Sequence, residues 1–167
     1  DHPKLTKLLV DDHLSKSEVK KACEIFSKIK VSIQDDYLSK FNIYCLINNN
    51  KKEEAQLLID LKKELGFEDK FYENKINFLM GYTNQPNVEI SENTILDFHW
   101  SHRTNPKFKF EPQDSTSKQI WKYLSTSNLL DNIKDIEITD IDKISSIEKA
   151  THEKHYKEKE LFQLYKR

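Results

Sequence analysis

The chain has 167 residues, with 27 basic and 28 acidic side chains, so its net charge is −1. Only Arg103 and Arg167 are arginines, the residue type that contacts phosphates and bases most effectively, so nucleic acid is a poor partner. The two glycines, Gly66 and Gly81, cannot form a glycine-rich phosphate loop and are too few for a β-rich fold. No apolar run is long enough to span a membrane.

A chain of this length predicts a single domain, residues 1–167, or two small helical subdomains that share a core. It should bury roughly 70% of its unfolded surface, so neither a metal nor a disulfide is needed to hold it together. Aromatic residues make up 11% of the chain, which predicts a packed core rather than disorder. The chain starts at Asp1, not Met, and we interpret it as a processed form or a piece of a longer protein. The compartment is left open.

Apolar residues recur at spacings of three and four from residue 17 to 80, which predicts four amphipathic helices after a short helical segment at 4–10. Their inward faces, in chain order, are Val19, Ala22, Cys23, Phe26 and Ile29; Leu38, Phe41, Cys45 and Leu46; Ala55, Leu58, Ile59 with Leu61 or Leu65; and either Phe71, Lys75 and Phe78 or Tyr72, Ile76 and Leu79. Asn48 to Asn50, Gly66 and Gly81 favour helix ends.

Two cysteines, Cys23 and Cys45, lie on the apolar faces of consecutive predicted helices. Core packing as small hydrophobic residues is the simpler interpretation. Antiparallel packing of the two helices would also bring the thiols close enough for a disulfide in an oxidising compartment.

Three of the four prolines, Pro86, Pro106 and Pro112, lie in residues 83–114, which we interpret as a connector. A short helix at 92–102, capped by Ser91, interrupts it. Alternation in residues 104–113 predicts an extended segment that turns Phe108 and Phe110 to one side. These rings either fill a gap between helical layers or contact a partner.

The helical pattern returns after residue 115, where Ser115 or Ser117 caps the first helix. Further helices are predicted from the apolar residues Ile120, Trp121 and Leu124; Leu129, Leu130, Ile133 and Ile136; Ile141, Ile144 and Ile147; and Leu161, Phe162, Leu164 and Tyr165. The charged run at 152–160 is interpreted as a solvated helix face or a frayed link.

Residues 38–64 resemble one tetratricopeptide-type helical hairpin. Leu38, Phe41 and Cys45 occupy one helix face, Lys52 to Ala55 resemble the turn and small residue that open the second helix, and Ile59 falls where that helix packs. The sequence departs from the family at Asn42 and Lys62, and its turn is one residue longer. The resemblance implies stacked helical hairpins and protein or peptide binding on a concave face.

Catalytic motifs are absent from the sequence. His99 and His102, with Asp97 nearby, are weak candidates for metal ligands; capping of a helix C-terminus is the simpler interpretation of both histidines, and we expect no metal site. The run His152 to His155 is one residue short of a zinc-protease motif. No serine lies in a nucleophile-elbow context. We therefore expect no enzyme activity and no cofactor.

The sequence thus predicts an all-α fold of seven to nine helices in stacked antiparallel pairs, as a right-handed α-solenoid or a compact helical array. Residues 4–82 and 115–167 form its sublayers. The expected function is a non-enzymatic binding or scaffold module for a protein or peptide; the alternative is an accessory helical domain of a larger enzyme or assembly. Candidate contact residues are aromatic or basic: Tyr37, Tyr44, Tyr72, Trp100, Arg103, Phe108 and Phe110.

Overall fold

The structure, a computed structural model, describes residues 2–131, 136–137 and 139–166. These residues form nine helices and no strand, which confirms the all-α prediction. The helices are α1 His2–Ser15, α2 Val19–Phe26, α3 Asp36–Asn48, α4 Lys52–Glu64, α5 Lys70–Leu79, α6 Ile95–Arg103, α7 Lys118–Thr126, α8 Ile141–His152 and α9 Glu158–Tyr165.

Two compact units make up the chain. The first contains Asp1–Leu14 and Glu18–Phe108, and the second contains Ser15–Ser17 and Lys109–Arg167. In the first unit α3 packs against α2 and α4, and α5 packs against α6. In the second unit α8 packs against α9. Helix pairs are therefore the repeated packing element in each unit.

Polar side chains fix the starts of most helices. Asp35, Asp69, Thr94, Ser117 and Asp140 each accept a hydrogen bond from a backbone N–H in the first turn of the following helix. Such caps satisfy donors that a helix leaves open at its N-terminus.

Left-handed backbone follows three helices at the residues that the sequence predicts. Asn50 has φ +60° after α3, Gly66 has φ +83° after α4 and Gly81 has φ +80° after α5. Both residue types adopt this conformation at little cost, so α3 and α4 end where the sequence indicates.

Several local predictions were wrong. Helix α1 has 14 residues rather than one or two turns. Thr94 caps α6, not Ser91, because α6 begins later than predicted; the Ser91 hydroxyl instead accepts a hydrogen bond from the Asn93 N–H. The extended segment predicted at 104–113 is interrupted by a turn, in which the Phe108 N–H donates to the Asn105 carbonyl oxygen. The helix expected around Leu129 to Ile136 falls partly on residues 132–135, outside the described residues.

Cys23 and Cys45 form a disulfide that joins α2 to α3, with their Cα atoms 5.5 Å apart. Both cysteines are buried, as core packing predicts, and the disulfide alternative is confirmed. Phe26 of α2 and Phe41 of α3 pack edge to face, with ring centroids 5.3 Å apart. Covalent and aromatic contacts together hold α2 on α3.

In the second unit, buried Ile136, Ile147 and Leu164 form a cluster that Ile144 and Leu161 cover. The predicted repeat of isoleucines at every third position is only partly internal, because Ile141, the first residue of α8, is exposed. Among the described residues, no helix has both the length and the apolar character needed to cross a bilayer.

Candidate functional site

Four of the seven predicted contact residues lie in the core of the first unit. Tyr44, Tyr72, Trp100 and Phe108 are all buried. The Trp100 ring lies between those of Tyr44 and Tyr72, at centroid distances of 5.9 and 6.1 Å. Phe108 packs edge to face on Phe98 at 5.6 Å. In the free protein these rings therefore stabilise the fold of the unit.

The other three predicted contact residues lie nearer the surface. Tyr37 is half-buried, donates a hydrogen bond to the Asp11 carboxylate and lies under the ammonium group of Lys7. Phe110 is half-buried and Arg103 is exposed. The structure does not gather the seven residues into one surface.

The two histidines proposed as metal ligands have different environments. His99 is buried, and its Nε2 lies 2.7 Å from the hydroxyl of Tyr44. Burial lowers the pKa of His99 to about 3, so the ring is neutral at physiological pH. His102 is half-buried beside the ring of Phe108. No group of three or more His, Cys, Asp or Glu residues in the described part of the chain is placed to hold a metal ion.

Sequence analysis missed two buried lysines of a charged network on α3 and α4. The Lys40 ammonium pairs with Asp36 at 2.9 Å and with Asp69 at 2.8 Å. The Lys62 ammonium contacts Asp36 at 3.1 Å and donates to the Ser39 hydroxyl at 2.7 Å. Burial acts to lower the pKa of both lysines; the ion pairs with Asp36 and Asp69 outweigh it at Lys40, whose pKa is raised, but not at Lys62, whose pKa is lowered. The network joins α3 to α4 and to the start of α5.

A third lysine, Lys75 on α5, is fully buried. Its ammonium donates to the carbonyl oxygens of Asn87 and Glu89, at 3.2 and 2.7 Å, and to the Thr104 hydroxyl at 2.9 Å. Burial lowers its pKa to about 8. The lysine thereby fastens the loop before α6 to the residue that ends α6.

Helix α4 buries part of the predicted face, with a lysine at its last inward position. Ala55 and Lys62 are its buried residues, whereas Leu58 and Ile59 are only half-buried. The prediction that Leu61 or Leu65 faces inward was wrong. Lys62, which follows Leu61 and precedes Leu65 by three residues, takes the last inward position, so the two leucines lie at the exposed edge of the buried face.

The solvent side of α4 carries three leucines spaced by four residues. Leu57, Leu61 and Leu65 are 70%, 40% and 45% exposed. Residues four apart lie on one face of a helix, and Leu65 directly follows the last residue of α4, so the three form a continuous apolar stripe. An apolar stripe that the folded chain leaves open is a candidate interaction surface.

Acidic residues border this stripe. Glu53 and Glu54 precede Leu57 by four and three residues, and Asp60 and Glu64 follow Leu57 and Leu61 by three. All four are exposed. The exposed lysines of α4 are Lys52 and Lys63, and neither is three or four residues away from any of the three leucines. We call the three leucines and four carboxylates the α4 surface.

Comparison of the chain with known protein families, curated proteins and solved structures finds no match. The fold defines the class to which the chain belongs, all-α proteins built from packed helix pairs.

Proposed function

We propose that this protein is a non-enzymatic binding module that engages a protein partner through the α4 surface. The observation that carries the proposal is the row of three exposed leucines on one helix face. Burying an exposed leucine on a partner contributes up to about 1.5–3 kcal/mol, so three of them supply a usable apolar contact.

Charge identifies the kind of partner. The acidic border favours an amphipathic helix whose apolar residues are flanked by lysine or arginine, since such a helix pairs with the leucines and the carboxylates together. An acidic helix would be repelled. Peptide binding is also what the tetratricopeptide-like pattern of residues 38–64 implies, although through a concave face rather than through α4.

The test uses two synthetic amphipathic helices as probes, one of leucine and lysine and one of leucine and glutamate. We expect the lysine probe to bind at least about tenfold more tightly, with affinity that falls as salt is added. Leu57→Ser with Leu61→Ser should weaken binding by about tenfold or more. Both leucines are exposed, so thermal stability should change little.

The matched control is Leu5→Ser with Leu8→Ser, which removes two exposed leucines from α1. This variant should bind the lysine probe like the unmodified protein. Equal binding of the two probes, or equal loss in both variants, would rule out the α4 surface as the binding site.

A second proposal is an accessory helical domain of a larger enzyme or assembly. It is supported by α1, where Leu5, Leu8 and Leu9 stand three and four residues apart and are exposed. A neighbouring domain of the same protein could cover this stripe. The full-length gene product tests the proposal: an adjoining catalytic domain supports it, and a reading frame of only these 167 residues removes it.

A further inference from the structure

The second unit contains a cleft of about 260 Å³ that the α4 surface does not involve. Its walls come from five separate segments of that unit: residues 111–113, Trp121 of α7, Asp131, residues 140–147 around the first half of α8, and Tyr156. The volume lies below the roughly 300–1,000 Å³ of sites for drug-sized molecules, and therefore suits a single side chain better than a whole cofactor.

An ammonium group already lies in this cleft. Lys143 of α8 places its Nζ 3.1 Å from a carboxylate oxygen of Glu111 and 2.5 Å from one of Asp131. The hydrogen bond to Asp131 is the main cause of a raised Lys143 pKa. Carboxylates from two distant parts of the sequence thus converge on one cation, which shows that the wall is built to stabilise positive charge.

Lys143 neutralises only part of this wall. Four carboxylates line the cleft, those of Glu111, Asp131, Asp140 and Asp142, and Lys143 is the only lysine or arginine among the described lining residues. Asp140 uses one oxygen to cap the Lys143 N–H. All four acidic residues are exposed, so among the described lining residues an excess of three negative charges is accessible to a ligand.

Besides the charged groups and the polar Gln113 and Ser146, the lining contains apolar residues that are held in place. Trp121 and Ile147 are buried, and Tyr156 is half-buried. His155 stacks on the Trp121 ring with centroids 5.8 Å apart, and burial lowers its pKa, so it is neutral at physiological pH. The Tyr156 hydroxyl donates to the carbonyl oxygen of Asp131. Aromatic rings beside carboxylates are the usual surroundings of a bound organic cation.

We propose that this cleft binds the cationic side chain of an arginine or lysine residue presented by a peptide. The carboxylates that Lys143 leaves unneutralised pair with the guanidinium or ammonium group, and the aromatic wall packs on its aliphatic stem. The inference is independent of the α4 surface, because the cleft lies wholly in the second unit.

Calorimetric titration of the whole chain tests this assignment with two blocked amino acids, acetyl-arginine amide and acetyl-citrulline amide. Citrulline has nearly the shape of arginine but no charge. We expect arginine to bind with a Kd of about 1 mM and citrulline at least about tenfold more weakly. Added sodium chloride should weaken the arginine titration. Equal affinity for both probes, or no arginine binding, would overturn the proposal, and neither result depends on a variant.

Free polyamines offer the same chemistry, so putrescine is titrated as well. A putrescine affinity more than about tenfold above that of arginine would overturn the peptide assignment in favour of a free amine. A putrescine affinity within that factor supports the side-chain assignment.

Variants locate the binding. Glu111→Gln with Asp142→Asn removes two exposed carboxylates from the cleft and should weaken arginine binding by about tenfold. The matched control, Glu158→Gln with Glu160→Gln, removes two exposed carboxylates from α9 that do not line the cleft, and should leave affinity unchanged. Equal weakening in both variants would show a general charge effect and overturn the site.

Discussion

The Lys40 ammonium lies 2.8 Å from one carboxylate oxygen of Asp69, while the other oxygen of Asp69 accepts the N–H of Tyr72. One carboxylate therefore caps α5 and ties it to α3. Burial acts to lower the pKa of Lys40, but hydrogen bonds to Asp69 and Asp36 outweigh it and raise that pKa. The ammonium is thus a permanent cation at neutral pH, and its attachment to α5 does not depend on pH there.

The two roles of Asp69 can be separated by substitution. Asp69→Asn keeps a side-chain oxygen for the cap and loses the charge, so it should reduce the free energy of unfolding by about 0.5–1 kcal/mol, the value of a partly exposed ion pair. Asp69→Ala loses both and should cost about 1 kcal/mol more. Urea denaturation measures both differences. If Asn costs as much as Ala, the cap contributes nothing.

His99 should make the stability of the first unit fall in acid. Burial lowers its pKa to about 3, whereas the unfolded chain has a histidine pKa near 6.5. Between these values the unfolded state binds the extra proton, so the free energy of unfolding decreases as pH falls from about 6.5 towards 3. The slope reaches at most about 1.4 kcal/mol per pH unit.

His99→Gln tests this prediction, because glutamine does not titrate and still offers a partner for the Tyr44 hydroxyl. In this variant the free energy of unfolding should depend less steeply on pH, because the contribution of His99 is lost. His152→Gln, at an exposed position of α8, is the control and should keep it. Equal slopes for unmodified protein and His99→Gln between pH 6.5 and 4 would contradict the assignment.

Much of this fold follows from the sequence, because helix faces and caps are local. Spacings of three and four residues predicted the helices. Ser117 marked the start of α7, and Gly66 marked the end of α4. The exposure of the leucines of α4 could not be predicted. Leucines at 57, 61 and 65 have the pattern of a buried face, and Lys62 has the composition of an exposed residue. Lys62 is nevertheless buried with its ammonium on Asp36 of another helix, and the three leucines are exposed.

The candidate sites illustrate the same limit. Tyr44, Tyr72 and Trp100 have the residue types of a binding surface, but their ring contacts with one another place them in a core. Conversely, Glu111 and Asp131 are unremarkable surface carboxylates in the sequence, and only folding brings both to Lys143. Contacts between distant positions have no periodic signal in a single sequence.

Lys75→Met should be among the most destabilising changes of a charged residue in this chain. It leaves two carbonyl oxygens and the Thr104 hydroxyl without their buried donor, at a cost of about 3 kcal/mol or more. Lys70→Met, an exposed position on the same helix, should cost under about 0.5 kcal/mol. Thermal and urea unfolding followed by circular dichroism compares them. Similar costs for the two variants would contradict a structural role for the buried ammonium.

Lys75 should also make stability rise with pH above neutrality. Its pKa is about 8 in the folded chain and near 10.4 in the unfolded chain, so between these values the unfolded state binds more protons. The free energy of unfolding therefore increases from pH 8 to about 10, by a contribution that Lys75→Met removes. Lys70→Met should retain it. A difference between unmodified protein and Lys75→Met that stays constant over this range would refute the shift.

Reduction of the Cys23–Cys45 disulfide should loosen the α2–α3 pair. The bond closes a sequence separation of 22 residues, which corresponds to about 3 kcal/mol of unfolded-state entropy. Cys23→Ser with Cys45→Ser should therefore lower the free energy of unfolding by about that amount. Unmodified protein kept in a phosphine reductant should lose the same amount, while the reductant should not change the double variant. Protein that is equally stable with and without reductant would show that the covalent link contributes nothing, and that Phe26 on Phe41 suffices to hold the two helices together.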